Sequence, residues 1–287
     1  MKIVDLLAAG PTYSFEFFPP KTDAAEAQLR IALKELELLS PSFVSVTDGA
    51  GGSTRARTQE LVIELHHETS MTPMAHLTCA AFTRDHLTEV VTRYRDAGVC
   101  NILALRGDPP AELDLPPGEL EHARELVELV RGIGDFAIGV AVHPEGHPAS
   151  TDIATDRRHQ AEKLAAADFG VTQLFFDADL YSRLVDDFTA LGVDAPVIPG
   201  IMPVTDVKQV ARMAQLSGAA FPGWLEERLR SAGDDPAAMH EVGVEEATRF
   251  CERLLAAGAP GLHFFTLNRS PATRDIYTNL GLQPKSV

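Results

Sequence analysis

A single carboxylate among aromatic residues near the N-terminus is the first group in the chain that could do chemistry. Glu16 lies in the middle of the run Tyr13-Ser14-Phe15-Glu16-Phe17-Phe18, which Pro19-Pro20 follows. Four aromatic residues in six positions are typical of a strand, and the two prolines end it. Burial of an unpaired charge is unfavourable. Glu16 is therefore either paired or exposed at a rim, or it serves as an acid or base.

Polar side chains also follow most of the later apolar runs. They are Thr47 and Asp48, His76, Arg106 and Asp108, His143 and His147, Gln173, and Asn268 and Arg269. The histidines and Asp108 could together bind a divalent ion, although Pro144 and Gly146 keep His143 and His147 off one helical face. The alternative for these histidines is hydrogen bonding to loop backbone or to a ligand.

Two other reaction classes are disfavoured, and one phosphate-binding signal is weak. A Schiff-base aldolase needs a lysine at a strand end, but Lys163 is predicted in the middle of a helix and Lys21 follows the prolines. Phosphate-binding barrels usually have Gly-rich loops after strands seven and eight, and this chain has none there. The Gly-rich stretch 48–54 could bind a diphosphate through its backbone N–H groups, with Arg55 and Arg57 beyond it as anion contacts or surface charges.

The elements that must position these residues alternate regularly. Eight short apolar runs are each followed by an amphipathic segment, and the runs lie at 13–18, 43–47, 74–79, 101–105, 137–142, 171–176, 196–201 and 261–266. This alternation predicts a parallel sheet, and eight such units in 287 residues predict an α/β fold with a (β/α)8 TIM barrel as one domain over 1–287. The polar residues at the strand ends would then share the face on which barrels carry their chemistry.

The alternative fold is a doubly wound open sheet, but no G-x-G-x-x-G sequence follows the first strand. The alternation breaks at 217–241, which predicts a short helical insertion between strands seven and eight. Because the insertion contains Phe221 and Trp224, it could be a lid over the site, a subunit contact or solvated decoration. A homo-oligomer is therefore one of the possible assemblies.

Composition excludes several partners. Lys and Arg number 25 against 41 Asp and Glu, so the formal net charge is −16, and the absence of a basic stripe argues against nucleic acid. Three widely spaced cysteines without a C-x-x-C pair fit a reducing cytosol. No stretch approaches the roughly 18–20 apolar residues of a membrane helix. The first ten residues are too short and acidic for a secretory signal, so we expect a soluble cytoplasmic protein.

Eight short sequence blocks fall at the strand ends. They are 14–21 (SFEFFPPK), 46–54 (VTDGAGGST), 76–79 (HLTC), 104–108 (ALRGD), 144–148 (PEGHP), 172–173 (TQ), 199–204 (PGIMPV) and 266–269 (TLNR). In content and order these blocks resemble the methylenetetrahydrofolate reductase family, and they cover essentially the whole chain. Bacterial members of that family are single (β/α)8 barrels, which agrees with the fold predicted from the alternation.

The resemblance implies an enzyme that reduces 5,10-methylenetetrahydrofolate to 5-methyltetrahydrofolate, with hydride from NADH or NADPH that ordinarily passes through bound FAD. It implies that Glu16 is the acid that opens the imidazolidine ring to an iminium. We expect the aromatic neighbours to raise the pKa of Glu16 by desolvation. The implied substrate contacts are Asp108, Gln173, Gln209 and Arg269. The implied cofactor contacts are Thr47, His76, Arg106, His147, Asp156 and Lys163.

Several positions depart from the flavin-binding pattern of the family. Asp48, His122, His143 and Phe265 stand where Tyr is usual, Met213 where Phe is common, and His159 where Asn is expected. Each lost stacking or hydroxyl contact can be worth ~1 kcal/mol. Asp48 would also bring negative charge towards an anionic cofactor. We therefore hypothesise that FAD binds weakly or not at all, and that hydride passes directly from the nicotinamide to the iminium carbon.

Two alternatives stay open. One is an ordinary FAD-dependent reductase of the same family with a drifted pocket. The other, from a different functional class, is a folate-binding barrel without catalysis. Retention of Glu16, Asp108 and Gln173 together argues against the second, because binding alone does not need the acid. The choice between NADH and NADPH is also open, since no arginine for a 2′-phosphate can be placed.

Overall fold

The strands form a closed parallel barrel. The computed structural model describes residues 1–48, 52–107, 118–233 and 235–282, and in residues 52–55 it describes the backbone alone. The strands are β1 (Thr12–Phe17), β2 (Phe43–Val46), β3 (Pro73–Thr78), β4 (Asn101–Leu105), β5 (Ala137–Val142), β6 (Phe169–Thr172), β7 (Val197–Ile198), β8 (Gly200–Ile201) and β9 (Gly261–Phe265). Their order around the sheet is β7-β6-β5-β4-β3-β2-β1-β9-β8.

One barrel strand is interrupted at Pro199, which has no N–H to donate to a neighbour. Its first half, β7, pairs with β6, and its second half, β8, pairs with β9. Because β7 and β8 are consecutive in the chain, the two edges of the sheet meet and the barrel closes. The predicted (β/α)8 barrel is confirmed, and the open sheet is wrong.

Helices follow the strands in alternation. They are α1 (Ile3–Ala9), α2 (Asp23–Glu37), α3 (Gly52–Glu68), α4 (Arg84–Asp96), α5 (Ala123–Ile133), α6 (Ile153–Ala166), α7 (Ala178–Ala190), α8 (Val207–Ser217), α9 (Gly223–Arg230), α10 (Pro236–Ala256) and α11 (Pro271–Asn279). Side-chain oxygens of Thr22, Thr83, Asp152 and Asp206 accept a backbone N–H in the first turn of the helix that each precedes. In the described residues, no helix is both long and apolar enough to cross a bilayer.

Alternation along β1 separates the core from the barrel interior. Phe15 and Phe17 point outward and pack in the large apolar cluster between barrel and helices, where the Phe15 ring lies 5.3 Å from that of Tyr277 in α11. Ser14 and Glu16 point inward, where they contact residues of β2 and β9. Successive strand side chains alternate between faces, so the aromatic run fixes the orientation of Glu16.

The amino-terminal end of the barrel is filled by a second apolar cluster. Phe43, Met74, Leu103, Phe169 and Ile198 pack there against Ile3 of α1. Sequence analysis did not predict α1 as a helix. Its seven residues are too few for stable helix in isolation, and contacts across the barrel base stabilise it.

Two predicted boundaries are wrong. The sixth strand ends at Thr172 rather than at 176, because the Leu174 N–H turns back to the Gln173 side chain and Leu174 and Phe176 enter a third apolar cluster. Helix α10 begins at Pro236, inside the predicted insertion 217–241, where Asp235 caps it and proline occupies a first-turn position.

The described part of the insertion packs on the carboxyl-end rim. Leu225 and Leu229 of α9 are buried in the third cluster beside Phe176 and Met202, which follow β6 and β8. The side chain of Trp224 is 55% exposed on the outside of α9. Its role as a lid, a subunit contact or solvated decoration stays a prediction.

Asn101 ties α1 to the barrel base, and its removal tests this attachment. Asn101 Oδ1 accepts the Ile3 N–H (2.8 Å), and Nδ2 donates to the carbonyls of Met1 (3.0 Å) and Pro73 (3.2 Å). Asn101→Ala leaves a buried N–H without a partner, so we expect the free energy of unfolding to fall by about 2–3 kcal/mol. Denaturant unfolding would measure it, with the exposed Thr88→Ala as control. An unchanged stability would show that α1 does not depend on Asn101.

Candidate active site

The Glu16 carboxylate lies near the carboxyl end of β1 and meets three neighbouring strands. Its Oε2 atom is 3.3 Å from His76 Nε2 of β3 and 3.4 Å from His263 Nε2 of β9. Ser45 Oγ of β2 donates to the same oxygen at 3.4 Å. The Glu16 side chain retains 13% of its exposure, so it is enclosed but still open to the barrel mouth.

His263 is fully enclosed, with an exposed side-chain fraction of 0%. Its Nδ1 is 2.8 Å from Ser14 Oγ, and its Nε2 is 3.3 Å from Ser45 Oγ. The Phe43 ring stacks on the imidazole with centroids 5.9 Å apart, and the Phe265 ring meets it edge to face at 5.6 Å. The imidazole is therefore fixed in position and orientation.

The pKa of Glu16 is shifted in the direction opposite to the one that the sequence predicted. Burial by itself raises the pKa of the carboxyl group, as expected from the aromatic run. The hydrogen bond with His263 and the electrostatic influence of the two imidazoles together outweigh burial and hold the pKa of Glu16 below its ordinary value. The expectation of a raised pKa is therefore wrong for this state, because it considered the strand without the residues opposite it.

The two imidazoles in contact with Glu16 differ in their environments. Burial lowers the pKa of His76, and the opposing influence of Glu16 does not compensate. Its buried Nε2 makes no hydrogen bond in the part of the chain that the structure describes, although it faces the carboxylate. His76 is thus a neutral ring beside Glu16 at neutral pH.

The loop after β9 clamps the end of β1 and so positions Glu16. Thr266 Oγ1 donates to the Glu16 carbonyl oxygen at 2.6 Å. Asn268 Oδ1 accepts the Phe18 N–H and its Nδ2 donates to the Phe18 carbonyl, both at 2.9 Å. Leu267 and Asn268 have φ of 53° and 55°, a left-handed conformation that is unfavourable for leucine and needs these tertiary contacts to hold it.

A second polar cluster lies between the loop after β5 and helix α6. Gln160 Oε1 accepts the His143 N–H at 2.6 Å, and Asp156 Oδ2 accepts the His147 N–H at 3.2 Å. The Gln160 amide also donates to Asp156, and both of these side chains are buried. The rings of His143 and His147 meet edge to face, 4.8 Å between centroids.

This cluster carries one cation that is easily neutralised. Burial lowers the pKa of Lys163 to about 8, although Asp156 opposes the shift, so the ammonium group is mostly charged at neutral pH. Burial, together with Lys163 and His147, lowers the pKa of His143 to about 3, so that ring stays neutral. The buried His143 Nδ1 has no hydrogen-bond partner among the described residues. These groups suit an anionic or hydroxyl-bearing ligand.

The other predicted site residues lie around the same rim but do not contact Glu16 through any described hydrogen bond. Thr47 and Gln173 are partly buried after β2 and β6, whereas Arg106, Gln209 and Arg269 are exposed. Asp108 lies outside the described residues, as do Gly49, Ala50 and Gly51 of the Gly-rich stretch. No three His, Cys, Asp or Glu side chains in the described ranges are grouped to hold a metal ion.

Asp48 is held by a neighbouring strand. Its Oδ2 accepts the Thr78 N–H at 3.2 Å and the Thr78 hydroxyl at 2.5 Å. This contact joins the loop after β2 to the end of β3. A carboxylate bonded in this way offers no aromatic surface on which a flat ring system could stack.

Comparison with known proteins decides the family. The methylenetetrahydrofolate reductase family model matches residues 2–281. The 5,10-methylenetetrahydrofolate reductase of Pectobacterium carotovorum is 36% identical over 272 residues, which are 94% of this chain and 90% of that protein. The chain belongs to the methylenetetrahydrofolate reductase family. The family resemblance predicted from the strand-end blocks is confirmed.

Other relatives show how far the similarity extends. The Escherichia coli K12 5,10-methylenetetrahydrofolate reductase is 36% identical over 275 residues, covering 94% of this chain and 91% of that protein. Methylenetetrahydrofolate reductase (NADH) 1 of Arabidopsis thaliana is also 36% identical, over 306 residues, and the match covers all of this chain but 52% of the plant protein. The chain spans about half the length of the plant relative.

Solved structures share the barrel at low sequence identity. A Clostridium thermocellum protein that binds two copies of 5-methyl-5,6,7,8-tetrahydrofolic acid has a TM-score of 0.61 at 14% identity, covering 98% of this chain and 96% of that one. Dihydropteroate synthase from Xanthomonas albilineans, in complex with 7,8-dihydropteroate, has a TM-score of 0.50 at 15% identity, with coverage of 93% and 91%. At these identities the likeness supports the fold alone.

Sequence reasoning missed three residues of the Glu16 group, namely Ser14, Ser45 and His263. His263 lies in the apolar run Gly261–Phe265 and alternates with outward residues, so it shares the inner face with Phe265. A histidine at an inward position of a buried strand was the available signal. Its partner Glu16 is 247 residues away in the chain, which no local pattern reveals.

The Asn268 clamp can be tested through stability. Asn268→Ala removes both hydrogen bonds to Phe18 and places alanine at a left-handed position, so we expect the free energy of unfolding to fall by about 2–4 kcal/mol. Asn268→Asp keeps the acceptor for the Phe18 N–H and loses the donor, so its loss of stability should be smaller. Equal stability of all three proteins in urea unfolding would contradict a clamp.

Proposed function

We propose that this protein reduces 5,10-methylenetetrahydrofolate to 5-methyltetrahydrofolate with a reduced nicotinamide dinucleotide as hydride donor. Family membership supports the reaction. The observation that carries the proposal is the Glu16 carboxylate, held at the barrel mouth against His76, His263 and Ser45. An enclosed carboxylate with a proton-exchanging partner is what acid-assisted ring opening requires.

The reaction divides into proton transfer and hydride transfer. Glu16 gives a proton to a nitrogen of the imidazolidine ring, the carbon–nitrogen bond breaks with its electron pair on that nitrogen, and the carbon becomes an iminium. Hydride from the nicotinamide then converts the iminium carbon to a methyl group and leaves oxidised dinucleotide. After proton transfer the Glu16 carboxylate stabilises the iminium cation, and the neighbours that lower the pKa of Glu16 favour this form.

Substrate binding is assigned by chemistry to the rim. Gln173, partly buried after β6, and Asp108 offer an amide and a carboxylate, which match the donor and acceptor edge of a pterin. Gln209 and Arg269 are exposed at the start of α8 and after β9, and Arg269 suits a carboxylate of the folate. Membership of the methylenetetrahydrofolate reductase family supports a folate as the substrate class.

The second polar cluster is assigned to the dinucleotide. His147, Asp156 and Lys163, with Arg106 on the rim, combine cations with a buried carboxylate, and these suit the phosphate and hydroxyl groups of any dinucleotide. The family resemblance also assigns Thr47, which follows β2, and His76 of β3 to the cofactor. The name of the plant relative supports NADH as the donor.

The described residues fit the polar part of FAD but do not fit its ring. Asp48 stands where relatives commonly have a tyrosine, and its carboxylate is bonded to Thr78. His143 is a neutral ring whose backbone N–H is held by Gln160, and it replaces a second tyrosine. We therefore propose that hydride passes directly from the nicotinamide to the iminium carbon. A FAD-dependent reductase is the second candidate, favoured by retention of Arg106, His147, Asp156 and Lys163.

Substitution of Glu16 distinguishes an enzyme from a binding protein. Glu16→Gln keeps the shape and cannot donate a carboxyl proton, so we expect turnover with methylenetetrahydrofolate and NADH to fall by about 10²–10⁴-fold. Binding of 5-methyltetrahydrofolate, measured by calorimetry, should change little. The exposed Glu89→Gln serves as the matched control. Turnover equal to that of the parent would refute the role of Glu16, and folate binding without turnover in the parent would favour the binding protein.

An absorbance spectrum tests whether the protein binds FAD. We expect protein purified without added cofactor, and again after incubation with FAD and desalting, to lack the flavin bands because the ring has no stacking surface at Asp48. The same preparation should oxidise NADH when methylenetetrahydrofolate is added. Flavin bands at close to one per chain would instead establish the FAD-dependent reductase. An Asp48→Tyr variant examined alongside should bind FAD more tightly than the parent.

A further inference from the structure

The protonation state that the surroundings of Glu16 favour differs from the one that the proposed reaction needs. Its surroundings favour the carboxylate, whereas ring opening requires a proton on the same group. The titratable groups that face Glu16 in the described residues are His76 from β3 and His263 from β9, while β2 contributes the uncharged Ser45. A proton held close to Glu16 must therefore reside on one of these two imidazoles.

The hydrogen bonds of the two imidazoles favour His263. Both of its nitrogens have partners, Nδ1 with Ser14 Oγ at 2.8 Å and Nε2 with Ser45 Oγ at 3.3 Å and Glu16 Oε2 at 3.4 Å. An imidazolium at this position would donate two hydrogen bonds, one of them to a carboxylate. The buried Nε2 of His76 faces Glu16 but makes no hydrogen bond among the described residues, and burial disfavours the charged form of this ring.

Ser14 allows His263 to change its protonation. The Ser14 hydroxyl lies within reach of both His263 Nδ1 and the Leu262 carbonyl, the latter at 3.4 Å. When Nδ1 carries a hydrogen, it donates to Ser14 Oγ, and the hydroxyl donates to Leu262. When Nδ1 is bare, the hydroxyl turns and donates to it. The enclosed imidazole is thus satisfied as either tautomer and as the imidazolium.

We propose that His263 holds the proton that Glu16 delivers to the substrate, as an imidazolium paired with the Glu16 carboxylate. This inference rests on the proposed function. The proton moves from Nε2 to Glu16 Oε2, and from there to the ring nitrogen as the carbon–nitrogen bond breaks. His263 is left neutral, and a proton from solvent restores it through Glu16, whose side chain is still 13% exposed. His263 acts through Glu16 and is a positioning residue.

The pH dependence of turnover tests the proposal. His263→Gln removes the titrating ring and keeps an N–H donor, so we expect kcat at neutral pH to fall by about 10–100-fold with each KM changed less than about threefold. Without the imidazole the proton is held by a carboxyl group alone. The alkaline limb of the kcat profile should therefore move to lower pH, and activity should recover as the pH falls.

Two variants serve as comparisons. His76→Gln makes the same change at the other imidazole that contacts Oε2, and the alkaline limb should stay in place whatever its effect on rate. Ser14→Ala should move the limb in the same direction as His263→Gln but less far. A rate for His263→Gln that is lowered equally at every pH, together with a lower melting temperature, would indicate a structural role and overturn the proposal.

Nuclear magnetic resonance of the histidines tests this inference without catalysis, and so independently of the proposed function. In protein with ¹⁵N-labelled histidine, both His263 nitrogens should report protonation in the parent, and Glu16→Gln should abolish that state by removing the counter-ion. A single neutral tautomer of His263 in the parent from about pH 5 to 9 would overturn the inference. Failure of the parent to reduce methylenetetrahydrofolate would instead refute the proposed function.

Discussion

The site depends on one constraint, which is that the charge of the enclosed Glu16 carboxylate must be stabilised by polar partners. Removal of a charge from water is unfavourable by several kcal/mol unless partners replace the lost hydration. Here the partners come from three strands, with Ser45 from β2, His76 from β3 and His263 from β9. Because the first and last strands of the barrel are neighbours, a contact across 247 residues of sequence becomes a contact between adjacent strands.

The rest of the barrel mouth serves to keep that arrangement rigid. The Thr266 hydroxyl and the Asn268 clamp fix the backbone that follows the Glu16 side chain, from the Glu16 carbonyl to Phe18. The left-handed pair Leu267 and Asn268 is unfavourable locally and persists because tertiary hydrogen bonds hold it. At the opposite end, α1 packs against the apolar cluster at the base of the barrel, so the described residues fill that end.

The two polar clusters contain different chemical groups, and this difference supports the assignment of one to the substrate reaction and the other to the dinucleotide. Around Glu16 the groups are a largely buried carboxylate, two imidazoles and a serine hydroxyl, to which we assign the proposed proton transfer. Around α6 the groups are a cation, a buried carboxylate and an imidazole with a free nitrogen, which suit a ligand's phosphates and hydroxyls. A dinucleotide lying along the rim from α6 would bring its reactive end towards Glu16. The carboxylate at Asp48, bonded to Thr78, lies on that route where an aromatic ring would favour a flavin.

The sequence alone determined the barrel and the family, and it predicted a site at the strand ends with Glu16 as its acid. These rest on local properties, because the alternation of apolar and amphipathic segments and the short blocks at strand ends are visible along the chain. The tertiary structure decided the contacts between residues that lie far apart in the sequence. In the sequence, His263 is a residue of an apolar strand with no sign of a partner. In the structure, the pairing of β9 with β1 places it beside Glu16. The direction of the Glu16 pKa followed from that contact, since the aromatic run predicted burial but not the imidazoles opposite it. Helix α1 and the early start of α10 likewise depend on packing, which overrides weak local propensity.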